Sequence, residues 1–132
     1  MKIKQSEAMK AYQSVNDLNK QKLSSGKLAK QVYDLSSKLK SAFDFQIQEE
    51  QKIYNDHPEF DPMIGGIRLE GKSNEERKQC AEEIKQIDNE LRELSELDFE
   101  IDFEPFDFNL EANNVKISGE DIGNLEKFIN FV

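Results

Sequence analysis

Between positions 97 and 103 the chain alternates strictly. Leu97, Phe99, Ile101 and Phe103 are apolar, and Glu96, Asp98, Glu100, Asp102 and Glu104 around them are acidic. A period of two puts the sets on opposite faces, so residues 97–103 are predicted as a strand with one apolar and one charged side. After Pro105 the phase reverses: Phe106, Phe108 and Leu110 are apolar, Asp107, Asn109 and Glu111 polar. Proline cannot donate to a ladder, so it marks a break, and 106–110 reads as a second strand beside the first.

Upstream the period is helical. Ala8, Tyr12, Val15 and Leu18 line one side of a short helix over 6–21, with Ser6 as its cap, and Ser24-Ser25-Gly26 breaks it. Leu28, Val32, Leu35, Leu39 and Phe43 then recur at spacings of four and three, and Ile47, Ile53 and Tyr54 continue towards Pro58. A helix over 27–56 would be about 45 Å long at 1.5 Å per residue. Residues 58–73 hold two prolines and three glycines, with one short strand at 67–70. Ser73 and Glu76 form a capping box opening a helix over 74–96, whose seam is Cys80, Ile84, Ile87, Leu91 and Leu94. That seam matches the preceding helix, which predicts an antiparallel, coiled-coil-like hairpin. Asn113-Asn114 marks a turn, 115–117 a third strand, and the run from Ser118 to Asp121 caps a last helix over 119–129 with Ile122, Leu125, Phe128 and Ile129 inward.

The predicted fold class is therefore α+β, mainly α, in a single domain over 1–132. A long antiparallel helical hairpin is flanked by a short N-terminal helix, a small antiparallel β-element and a short C-terminal helix. No internal repeat is visible. The length suffices for one buried core. Charged residues make up 34% and hydrophobic ones 36%, and the apolar positions fall in periodic blocks rather than the scatter of a disordered chain. The net charge of -9 is unevenly placed. Residues 1–40 carry nine lysines against three acids, and residues 41–132 carry nine basic residues against 24 acids. An acidic body opposes direct nucleic-acid or anionic-membrane binding, although a basic N-terminal segment could still meet phosphate. One cysteine excludes an internal disulfide, and no signal peptide or long apolar run is present. The expectation is a soluble protein of the cytoplasm.

Three stretches carry residues with the potential for chemistry. Carboxylates at i and i+2 on a strand are about 6.6–6.8 Å apart, so the acidic stripe could share a cation only with help. As a calcium loop it fails, because Phe103 stands where glycine is needed and Asn109 where a bidentate Glu is needed. The stripe could instead mimic phosphates against a basic groove, and its plainest reading is a solvated face that discourages edge pairing. Second, Asp61 with Glu70-Gly71-Lys72 has the bare form of a metal-dependent nuclease signature, but the chain offers little of the central sheet such sites occupy. Third, His57 suits the end of a helix and Cys80 an apolar seam. Gly65-Gly66 is no phosphate loop, having no GK[ST] after it. No catalytic residue, metal ligand or cofactor is predicted. Most of the aromatic residues of the last third suit a core. The phase reversal nevertheless leaves Phe106 and Phe108 on another face unless the chain turns.

Residues 90–106 (ELRELSELDFEIDFEPF) and 118–129 (SGEDIGNLEKFI) resemble small proteins of phages and prophages of Gram-positive bacteria. In particular they resemble a phage family of unknown function with a helix, an acidic alternating strand ending in EP and a short capped helix. The resemblance covers roughly the last half of the chain and carries no catalytic residues. It implies a phage origin and a non-enzymatic role in the cytoplasm of a bacterial host. The function expected is an acidic interaction protein that inhibits a host protein or defence system by occluding a basic site. Asp98, Glu100, Asp102 and Glu104 would steer, and Phe106 and Phe108 would make the desolvated contact. The alternatives are a virion assembly factor that self-associates through its long helices, and a binder of a nucleotide signal using Lys20, Lys22, Lys27 and Lys30.

Overall fold

The computed structural model describes residues 1–132 and is α+β, mainly α. Its elements run β1 (Lys2–Lys4), α1 (Gln5–Asn19), α2 (Gly26–Asp56), β2 (Phe60–Asp61), β3 (Gly66–Ile67), α3 (Asn74–Glu96), β4 (Asp98–Glu100), β5 (Phe106–Phe108), α4 (Leu110–Asn113), α5 (Gly119–Leu125) and β6 (Ile129–Phe131). They form two compact units, one of residues 1–44 and 98–132, the other of residues 45–97.

The core of the first unit is built on the helical stripes read from the sequence. Ala8, Val15 and Leu18 of α1 and Leu28, Val32, Leu35 and Leu39 of α2 are buried together with Ile101, Phe106, Phe108, Leu125, Phe128 and Ile129. Chain entry into α1 is set by Glu7, whose carboxylate accepts from the Lys4 amide at 3.1 Å. Lys4 therefore occupies the cap position expected for Ser6. Buried Gln5 ties α1 to α2 by donating to the Ala42 carbonyl, which satisfies a polar group that would otherwise be stranded.

The β-structure departs from the expected element. The two strands on either side of Pro105 do not pair with each other. β4 pairs antiparallel with β1, in the register Lys2–Glu100, Ile3–Phe99 and Lys4–Asp98. β5 pairs parallel with β6, Phe106 opposite Ile129 and Phe108 opposite Phe131. A parallel pair needs a crossover of a dozen or more residues, and α4 with α5 supplies it. The predicted helix over 119–129 accordingly stops at Leu125, and Ile129 is turned inward by a strand rather than a helix. No strand forms over 115–117. Residues 110–113 make a helical turn capped by Asn109, whose side chain accepts from the Ala112 amide at 2.9 Å. The Gln21 side chain then takes the place of a strand partner, accepting from the Lys116 amide and donating to its carbonyl, both at 2.8 Å. Those two bonds satisfy the backbone without a ladder.

In the second unit the capping box forms as expected: Glu76 N–H donates to Ser73 Oγ at 3.2 Å and Ser73 N–H to Glu76 Oε1 at 3.1 Å. The amide of Ser73 holds the Glu76 carboxyl below its ordinary range. Phe60, Ile67, Cys80 and Ile87 form the small core, with Ile53, Tyr54, Ile84 and Leu91 packed on it. The strand expected over 67–70 is only β3, paired with β2: the ladder ends at Ile67, and the chain turns at 70–71, where Gly71 adopts φ +75°. The predicted hairpin is shorter than the whole of α2. His57 meets Glu83 and Glu90, while Glu49 and Ile53 share a groove with Glu93, Leu94 and Leu97. As α2 advances its partners on α3 recede, which is an antiparallel pairing made by residues 45–56.

Candidate functional site

Two carboxylates of the acidic stripe are paired with cations of the N-terminal strand. Lys4 Nζ lies 3.3 Å from Asp98 Oδ1, and the N-terminal ammonium lies 3.2 Å from Glu100 Oε1. Lys38 donates to the Asp102 carbonyl and stands 5.8 Å from the centre of the Phe103 ring. Exposed pairs of this kind contribute about 0–1 kcal/mol each, so their effect is on local charge more than on stability. The start of the basic N-terminal segment therefore meets the acidic strand across the β1–β4 ladder, at Asp98 and Glu100. No ion pair involves Asp102 or Glu104, and both side chains face solvent.

Phe106 and Phe108 are 6% and 0% exposed. They are core residues and offer no surface to a partner. The irregular stretch 101–105 separates the two ladders, and with the phase reversal Ile101, Phe106 and Phe108 all reach one core. Phe103 bridges them, its ring edge-on to Phe106 at 5.9 Å and to Phe128 at 6.1 Å.

Asp61, Glu70 and Lys72 do line one cleft, with Glu59, Ile67 and Arg68. Its charges answer each other: Arg68 is 3.7 Å from Asp61, and Lys72 is 3.4 Å from Glu59. The other Asp61 oxygen accepts from the Met63 amide at 2.9 Å and so pins the β2–β3 turn. This is turn chemistry. No three His, Cys, Asp or Glu side chains come together in an arrangement that could hold a metal ion. Of the four lysines considered for a nucleotide, Lys30 pairs with Asp34 at 3.6 Å. Lys27 borders a groove that also holds Asp107, a carboxylate that would repel phosphate. The exposed apolar side chains of α2 are Tyr33, Phe45 and Ile47, with Ser37, Lys40 and Asp44 between Tyr33 and Ile47.

Two features of the second unit went unforeseen. One is His57, buried at the end of α2 between two carboxylates, with Nδ1 2.8 Å from Glu83 and Nε2 3.5 Å from Glu90. The hydrogen bond to Glu83 raises its pKa, burial opposes, and the charges of Glu83 and Glu90 add to the rise. The folded unit thus holds the proton more tightly than the unfolded chain, whose histidine titrates at about 6.5. The pair's contribution is complete below that value and is lost as pH rises through the higher folded one. The second unit should therefore be more stable to urea at about pH 6 than at about pH 8, and His57→Gln should flatten the profile. Amide NMR signals of residues 45–97, followed through the urea titration, check this. A profile that keeps its slope in the variant would rule out His57 as its source.

The other feature is a groove of about 310 Å³ beside that histidine. It is lined by the apolar side chains of Ile53, Leu94 and Leu97 and by the glutamates Glu49, Glu90 and Glu93. Leu97, the residue that ends α3, remains 47% exposed. The sequence signal was present: Glu90, Glu93 and Leu97 fall at spacings of three and four along the seam's edge. It was masked because Leu97 also begins the alternating strand pattern.

No helix of the protein is long and apolar enough to cross a membrane. No family model matches the chain, and neither a curated protein nor a solved structure matches it.

Proposed function

We propose that the protein is a non-enzymatic, phage-encoded interaction protein that inhibits a host protein by occluding a basic site. The observation that supports this reading is the charge of the second unit. Residues 45–97 carry fourteen acids against seven basic residues, and three of those seven (Lys52, Arg68 and Lys72) are paired with acids of the same unit. A surface with that excess attracts a cationic partner over about a Debye length, roughly 8–10 Å at ordinary salt. It also repels nucleic acid, which places the target's own anionic ligand in competition with it.

The steering surface differs from the one the alternation suggested. Asp98 and Glu100 are committed to the β1–β4 ladder, so Asp102 and Glu104 are the stripe residues left to assist. The test has two stages. Immobilised protein is exposed to host lysate at about 0.05 M and 0.5 M salt, and the retained protein is purified and assayed for binding its anionic ligand with and without this chain. The expected result is one host protein held at low salt, released at high salt, and blocked from its ligand by the chain. A captured protein that keeps its ligand, or an empty capture with the chain running as a large homo-oligomer, would overturn inhibition by occlusion.

A further inference from the structure

We propose that the groove between the end of α2 and the end of α3 receives an arginine side chain of the partner. This rests on the reading above and names where the contact is made. The groove combines two chemistries in its lining: the apolar side chains of Ile53, Leu94 and Leu97, and three glutamates. It is a shallow, open depression of about 310 Å³, which can lie along one long side chain but does not enclose a cofactor. Neither a purely apolar side chain nor a compact cation satisfies both parts. An apolar chain would desolvate the glutamates without pairing them, and a compact cation would leave Leu97 wet. Arginine has an apolar stem for the isoleucine and leucines and five donors in a planar fork for the glutamates.

The glutamates are graded in their readiness. Glu49 lies 2.7 Å from Lys52 and Glu90 lies 3.5 Å from His57 Nε2, whereas no ion pair engages Glu93. Glu93 is therefore the first acceptor for an incoming guanidinium. Glu90 is a second, shared with the histidine at a distance longer than a good hydrogen bond. Covering Leu97 removes an exposed apolar surface that the free protein leaves in water.

The test uses the whole protein with labelled isoleucine and leucine methyl groups, titrated at low salt with hexa-arginine amide and with its uncharged isostere hexa-citrulline amide. Hexa-arginine should shift the methyls of Ile53, Leu94 and Leu97, and hexa-citrulline should not. Glu93→Gln and Leu97→Asn should each weaken hexa-arginine binding about tenfold, while Glu104→Gln leaves it unchanged. Both substituted positions are exposed, and unchanged amide spectra of the variants would show that the fold is retained. Shifts centred on Asp102 and Glu104, or binding indifferent to Leu97→Asn, would overturn the groove while leaving the acidic-inhibitor reading in place. Absence of hexa-arginine binding alongside a successful lysate capture would also overturn the groove alone. Failure of both experiments would remove both proposals.

Discussion

Phe108→Ala is expected to destabilise the first unit by about 3–5 kcal/mol, the range for emptying a fully buried aromatic site. Phe108 has no exposed surface, and its ring lies 5.6 Å from that of Phe131 on the paired strand. Its backbone carbonyl also accepts from the Val132 amide at 2.9 Å, so the residue anchors the β5–β6 ladder from within. Domains of this size have about 5–15 kcal/mol in all, so the variant should melt many degrees lower by circular dichroism. Asp107→Ala, on the opposite face of the same strand, is the matched control. Its side chain is exposed, and surface changes of this kind stay within about 0.5 kcal/mol. The comparison separates two roles that the sequence left open. A partner-contacting Phe108 would give an unchanged melting point and lost binding. A core Phe108 gives the reverse.

What was legible in the chain was whatever depended on near neighbours. α3 begins where Ser73 and Glu76 close their reciprocal bonds, a device contained in four residues. The buried stripe of α2 follows from spacings of three and four alone. What was not legible depended on partners far along the chain. β1 and β6 are three residues each, too short to display a period, and they exist because β4 and β5 lie beside them. Phe128 and Ile129 fit a helical stripe after Leu125 as well as they fit a strand, and only the position of β5 decides between the two. The acidic stripe shows the same limit. Its alternation correctly announced an exposed face, but the lysines opposite it are more than ninety residues away in sequence. For the site, each groove residue was visible singly. Leu97 opens the alternating pattern, and nothing local sets Glu49 and Glu90 apart from the other acids, because their convergence depends on how α2 and α3 are paired.

Ile87→Ala is expected to release the second unit while the first stays folded. Ile87 is fully buried in a core with only three other buried members, Phe60, Ile67 and Cys80. Truncation of a buried isoleucine costs about 2–5 kcal/mol, and so small a core has few contacts left to absorb the cavity. The first unit's core holds sixteen buried apolar residues, all within residues 1–44 and 98–132, and Ile87 is not among them. Native-state hydrogen exchange reads the outcome directly, because partial opening exposes contiguous sets of amides at a lower free energy than global unfolding. In Ile87→Ala, protection of amides across 74–96 should fall by about 30-fold or more, the factor that about 2 kcal/mol produces. Amides of α1 and of residues 32–39 should keep theirs. Ile87→Val, costing about 0.5–1.5 kcal/mol, should produce a graded version of the same pattern. An equal loss of protection in both sets would show that the units unfold as one block. The groove would then share the stability of the first unit's core rather than that of its own four-residue core.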